Sequence, residues 1–308
     1  MMKWKKIGLI FDGKSNLDWH ADSALTPTPF KINDEVVRVY AGFRDSQGIS
    51  RVGYVDLSIN DPAKILKVSD KPCLDVGENG CFDDNGVILG DVVRHGSEIR
   101  MYYVGFQLVK KVKFLAYSGL AISYDDGETF KRVKQTPILD RSDDGLTINA
   151  IHTALYENGV WRFWYAAGSG WESINGVDYP QYHIKYTESK DGINFSSDRL
   201  NVLCVDNEGV EYRIGRPSVY KLESGYLMFY TKGSISGEDY YPGVAFSHDG
   251  VNWQRKDQEF GLELSNNGFD SKHLCYPRLI DLGSKVLCFY NGNNMGKQGF
   301  GLAELESW

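Results

Sequence analysis

Hydrophobic and polar residues alternate along this chain in short runs, and no stretch carries the 3.6-residue period of an amphipathic helix. The runs recur at a fixed interval. Five end in Tyr-x-Gly or a close variant: Arg38 to Gly42, Met101 to Gly105, Phe163 to Gly168, Met228 to Gly233 and Cys288 to Gly292. Their tyrosines, Tyr40, Tyr103, Tyr165, Tyr230 and Tyr290, are 63, 62, 65 and 60 residues apart. Thirteen residues before each tyrosine stand Pro27, Gly90, His152, Pro217 and Pro277, each opening a short apolar run. Proline suits the start of a strand, where its missing N–H costs no ladder bond. A third strand follows each tyrosine, and three of these run into Asp126-Gly127, Asp191-Gly192 and Asp249-Gly250. Asp-Gly between apolar runs signals a hairpin, because the turn needs the positive φ that glycine adopts freely.

The repeat predicts an all-β fold with four antiparallel strands per unit. Five units give a single five-bladed β-propeller of four-stranded blades over residues 1–308. The last unit reaches Trp308 without a fourth strand of its own, and Lys5 to Phe11 is an unused apolar segment. This N-terminal strand is expected to join the last blade and close the ring, which removes an exposed sheet edge.

Composition narrows the function classes. The formal charge is −7 and the longest basic run is Lys110-Lys111. A nucleic-acid partner is therefore not expected, since such binders concentrate Lys and Arg to displace counterions. The apolar stretch after the basic Met1 to Lys6 is too short for a signal-peptide core, and no 18-residue apolar span follows, so membrane insertion is not expected. The cysteines, Cys73, Cys81, Cys204, Cys275 and Cys288, are odd in number and form no CxxC pair. This reads as a reduced, cytoplasmic protein with no metal site and no cofactor. Oligomeric state is left open.

In a propeller the starts of the first strands and the loops after the second strands share one rim. That rim gathers carboxylates at Asp84, Glu211 and Asp270, and cations at Arg44, His152, Arg213, Arg216 and His273. Asp83-Asp84 before Gly86 also reads as a turn cap, and His152 also as a satisfied core histidine. Arg216, immediately before Pro217, points along a strand toward the axis and calls for an acidic partner or an anionic ligand. Trp171 is a candidate stacking platform for a sugar, and Tyr276 lies at the same rim.

These residues resemble, along nearly the whole chain, a group of bacterial glycosidase-like five-bladed propeller proteins within the arabinanase, invertase and levansucrase superfamily. The resemblance rests on Thr26-Pro27-Thr28-Pro29, Gly42-Phe43-Arg44-Asp45, Phe82-Asp83-Asp84-Asn85-Gly86, Gly215-Arg216-Pro217, Phe269-Asp270-Ser271 with Tyr276-Pro277, and Phe289-Tyr290-Asn291-Gly292-Asn293. It implies a role in surface-polysaccharide metabolism. Glycosidases of this superfamily place Asp, Asp and Glu one or two residues before the strand-start proline position. Here those places hold Leu25 and Thr26, Ile88 and Leu89, Ala150 and Ile151, Gly215 and Arg216, and Cys275 and Tyr276. None is a carboxylate, and fold alone does not establish hydrolysis.

Two functional readings follow. In the first, the chain hydrolyses or transfers a glycosyl group of an acidic or phosphorylated sugar. Glu211 then donates the proton, Asp84 acts as base or nucleophile, Asp270 supplies a third carboxyl group, and Arg216 and His152 hold the anion. In the second, it is a non-catalytic module that binds a sugar or nucleotide sugar. Two carboxylates facing one pocket favour the enzyme; a pocket of Arg and His with the carboxylates locked in ion pairs favours binding.

Overall fold

The computed structural model describes residues 1–205, 210–235 and 240–308. Within them the chain is β throughout, apart from two short 3-10 segments at Asp257–Glu259 and Asn293–Gly296. Sheet pairing is almost wholly antiparallel and, apart from the N-terminal strand, between neighbours in the chain. The first meander joins Asp22–Lys31, Val36–Arg44, Ser50–Ser58 and Ile65–Val68 in that order. The second joins Val87–His95, Glu98–Gln107, Leu115–Ser123 and Lys131–Arg132. The third joins Ile148–Glu157, Val160–Gly168, His183–Ser189 and Leu200–Leu203, and the fourth Glu211–Leu222, Gly225–Ser234, Tyr240–Ser247 and Gln254–Arg255. In the fifth sheet Cys275–Asp281, Val286–Asn291 and Phe300–Ser307 are followed by Lys3–Phe11. That strand runs antiparallel to Phe300–Ser307, from Lys3 opposite Ser307 to Phe11 opposite Phe300. A short parallel contact of Ile148 and Asn149 with Ala116 and Tyr117 joins the second and third sheets. A separate hairpin, Trp171–Ile174 with Val177–Pro180, stands out from the third meander.

The first strand of every meander breaks register at the same place. The shifts fall between Leu25 and Thr28, Leu89 and Asp91, Ile151 and Thr153, Gly215 and Ser218, and Cys275 and Arg278. Proline cannot donate to a ladder, so Pro27, Pro217 and Pro277 sit in bulges that skip the missing bond. At Gly90 the reason is space: an added Cβ would lie 2.2 Å from the Ile151 carbonyl oxygen of the next meander.

Neighbouring meanders share apolar cores. Tyr40, Val52 and Tyr54 pack with Leu89 and Tyr103; Tyr102 and Leu120 pack with Phe163 and Tyr165. Trp164 and Ile184 pack with Met228 and Tyr230, and Leu227 and Phe229 with Cys288 and Tyr290. Val37 and Val39 of the first meander pack with Leu287, Phe289 and Leu302 of the fifth. The five repeat tyrosines are at most 1% exposed. The Asp-Gly turns also act between meanders. Tyr40 Oη donates to the Gly127 carbonyl at 3.0 Å, Tyr102 Oη to Gly192 at 3.2 Å and Trp164 Nε1 to Gly250 at 2.8 Å. Asp191 and Asp249 accept backbone N–H groups inside their own turns, which pulls both carboxyls well below the usual range.

Candidate functional site

The bulges aim side chains into one cavity of about 390 Å³. Its lining draws on all five meanders, with Thr26, Ile88, His152, Arg216 and Tyr276 each coming from a first strand. Thr26, Arg216 and Tyr276 hold φ of 55°, 54° and 57°, and Met295 on the same lining holds 56°. Left-handed backbone is costly for residues with a Cβ, most of all for a β-branched one, and persists where the surroundings over-determine it. Here the surroundings are neighbouring meanders. Thr26 N–H donates to Asn291 Oδ1 at 2.7 Å, and Tyr276 N–H to Thr231 Oγ1 at 2.9 Å.

The floor is cationic. Arg216 donates from Nη1 to the Leu89 carbonyl at 2.7 Å and lies 5.2 Å from the Tyr276 ring. Burial pulls its pKa down to about 10, against the opposing influence of Tyr276, so it stays charged at neutral pH. Arg213 is 4% exposed and is ringed by Tyr240 at 4.3 Å, Tyr212 at 4.7 Å, Tyr179 at 5.5 Å and Tyr182 at 5.9 Å. Burial opposes its charge, but the surrounding phenols more than offset this and its pKa rises. Among the described residues neither arginine has a carboxylate within ion-pair distance. His152 is buried, and its pKa lies well below the ordinary value through desolvation first and then the charges of Arg216 and Arg278. It is therefore neutral at pH 7. Thr26 Oγ1, Arg44 Nε, Ser50 Oγ, His152 Nδ1 and Arg213 Nε are buried with no hydrogen-bond partner among the described residues, and all five residues line the cavity. Buried polar atoms are normally satisfied by protein groups or by ordered water, so these five make the lining polar at those points.

Two uncharacterised proteins of Mycobacterium tuberculosis, MT1551 of strain CDC 1551 and Rv1502 of strain H37Rv, are each 31% identical to this chain over 308 residues. The alignments span 99% of this chain and 100% of each relative. The chain belongs to their family. No protein-family model matches it. Among solved structures, a glycoside hydrolase superposes with a TM-score of 0.74 at 17% identity, covering 100% of this chain and 93% of its own. A structure from work on the GH130 family of mannoside phosphorylases and glycoside hydrolases gives 0.69 at 14% identity, covering 98% and 93%. A thermostable family-43 glycoside hydrolase gives 0.68 at 18% identity, covering 94% and 91%. The fold is thus a glycosidase-like all-β propeller.

Of the rim residues expected from sequence, Arg44, His152, Arg213, Arg216 and Tyr276 converge on the cavity. The three carboxylates expected beside them do not line it. Glu211 accepts two hydrogen bonds from Arg255, at 2.9 and 2.6 Å, and lies 3.5 Å from Lys232. Asp270 is 3% exposed, accepting from Lys6 Nζ at 2.7 Å and from Tyr290 Oη at 3.0 Å. Asp84 accepts the Gly80 N–H at 2.9 Å and so closes a turn. The convergence of Asp84, Glu211 and Asp270 is corrected accordingly: they lie back along the chain from the bulges, where cations or backbone amides claim them. His273 is also off the lining, its backbone N–H donating to Asn293 Oδ1 at 3.1 Å. Trp171 packs edge-on against Phe114 at 5.4 Å instead of lining the cavity itself. Its hairpin brings Asp178, Tyr179 and Pro180 to the lining instead. Asn175-Gly176 between two alternating runs was the local signal for that hairpin. Tyr182, Tyr240 and Met295 had none.

Replacing Glu211 by Gln is expected to lower stability by about 1–2 kcal/mol, since the pair with Arg255 is only partly buried. Ligand affinity should stay unchanged. A thermal melt and a binding titration check both halves, and a loss of binding without a loss of stability would restore Glu211 to the site.

Proposed function

We propose that the five meanders are the blades of one five-bladed propeller closed by Lys3–Phe11, and that its cavity binds the carboxylate or phosphate of an acidic sugar. Ring closure is supported by the core that the first and fifth meanders share and by the pairing of Lys3–Phe11 with Phe300–Ser307. The observation that carries the binding reading is the pair Arg213 and Arg216, a buried and a half-buried guanidinium group on one cavity with no carboxylate partner among the described residues. Uncompensated buried charge is costly, and an anionic ligand removes that cost through charge-assisted hydrogen bonds. Binding is favoured over glycoside hydrolysis because that chemistry ordinarily needs two carboxyl groups across the scissile bond. Among the described residues the cavity lining offers one, Asp178. A sugar or nucleotide sugar held in this way fits a module of glycan assembly.

Calorimetry with matched acidic and neutral sugars tests the reading. The acidic member should bind at least about tenfold more tightly, with the preference weakened by salt. Arg216→Ala should cost roughly 10–100-fold in affinity, the worth of a hydrogen bond to a charged group. Equal affinity for acidic and neutral sugars would overturn the proposal.

A further inference from the structure

The cavity lining is mixed. Thr26 and Ser50 of the first meander, Arg213 and Arg216 of the fourth and Tyr276 of the fifth bring polar groups to it. The second and third meanders add the polar Asn85, Lys113, His152 and Asp178, and beside them an apolar wall. Val104, Ala116, Ile148, Ala150 and Ala166 form a buried cluster of their own, separate from the cores between meanders, and all five line the cavity. Ile88, Phe106 and Phe114 pack on that cluster while remaining half-buried, with Phe106 and Phe114 edge to face at 5.2 Å. These side chains neither donate nor accept hydrogen bonds. A bare sugar acid carries hydroxyls on every edge, and those turned toward this wall would lose water without gaining a partner. A cavity of about 390 Å³ is also of the size that encloses a drug-sized ligand.

Resting on the anion reading above, we infer that the ligand is an amphipathic anion: a sugar acid or sugar phosphate joined to an apolar alkyl or aryl group. The anionic end meets Arg216 and the apolar group covers Ile88, Phe106 and Phe114. Charge complementarity sets the orientation: Arg213 and Arg216 come from the fourth meander, whereas the buried apolar cluster comes from the second and third.

Methyl, hexyl and phenyl phosphate, titrated into the full chain by calorimetry, separate the anionic and apolar contributions without depending on sugar stereochemistry. Hexyl or phenyl phosphate should bind roughly 10–100-fold more tightly than methyl phosphate, as burial of a further apolar group predicts. A gain for only one of them identifies the apolar group as alkyl or aryl. Phe114→Ser and Ile88→Thr should reduce the gain for hexyl and phenyl phosphate by more than they change methyl phosphate affinity, with circular dichroism reporting that the variants fold. Arg216→Ala should weaken all three. Equal affinity for the three esters would overturn the amphipathic ligand and leave the anion site standing. Binding of benzyl alcohol and hexanol with no preference for their phosphates would overturn the anion site. Failure of every ester to bind would overturn both.

Discussion

Removal of residues 1–11 is expected to abolish cooperative folding of this chain. The strand Lys3–Phe11 covers the edge of the last sheet, and it carries more than ladder bonds. Met2 and Phe11 are 4% and 9% exposed, and burying each contributes about 1.5–3 kcal/mol. Trp4 Nε1 donates to the Phe260 carbonyl at 2.6 Å. Lys6 is the cation for Asp270, and stripping it leaves a buried carboxylate whose uncompensated charge costs about 3–5 kcal/mol more. The sum reaches the whole stability of a typical domain, about 5–15 kcal/mol. Circular dichroism melts and gel filtration check this. A truncated chain that stays monomeric and melts within a few degrees of the intact one would contradict it.

The second large effect is expected at Arg278. Its guanidinium ties four meanders together: Nη2 donates to the Gly90 carbonyl at 2.5 Å and to the His152 carbonyl at 2.7 Å, and Nη1 reaches Ser218 Oγ at 3.4 Å. Asp91 Oδ1 lies 3.4 Å away. Burial raises the Asp91 pKa, and Arg278 is the leading influence that opposes the rise. Arg278→Ala therefore leaves two carbonyls without a donor and a buried carboxyl without its cation. The expected cost is about 3–5 kcal/mol, which at roughly 2 °C per kcal/mol lowers Tm by about 5–10 °C. Asp91→Asn in the same chain should recover part of the loss, so the double-mutant cycle should show coupling above about 0.5 kcal/mol. Strictly additive losses would mean that the two side chains act independently.

Part of the site is legible in the sequence. Arg216 stands out because it precedes a proline at a strand start, and the bulge there does turn its side chain into the cavity. Arg44, His152, Arg213 and Tyr276 are legible for the same reason, since the repeat gives each a place in its unit. Glu211 and Asp270 share that legibility and mislead. Their chemistry depends on partners 44 and 264 residues away, Arg255 and Lys6, and no local pattern encodes such a pair. The apolar wall is hidden for a related reason: Phe106, Phe114 and Ile148 read as ordinary strand residues until two sheets are placed side by side.

The repeating unit is written in the local sequence: the strand alternation, the tyrosine spacing, the Asp-Gly turns and the strand-start prolines. Each of these acts within a few residues, through backbone geometry and side-chain period, and so can be read from neighbours in the chain. The pairing of charges, by contrast, is settled by tertiary packing. A carboxylate near a rim becomes a catalyst or half of an ion pair according to which cation reaches it first. That is set by packing between meanders distant in sequence. Glu211 and Asp270 are claimed in this way, whereas Arg213 and Arg216 are left on the cavity with no carboxylate within ion-pair distance among the described residues.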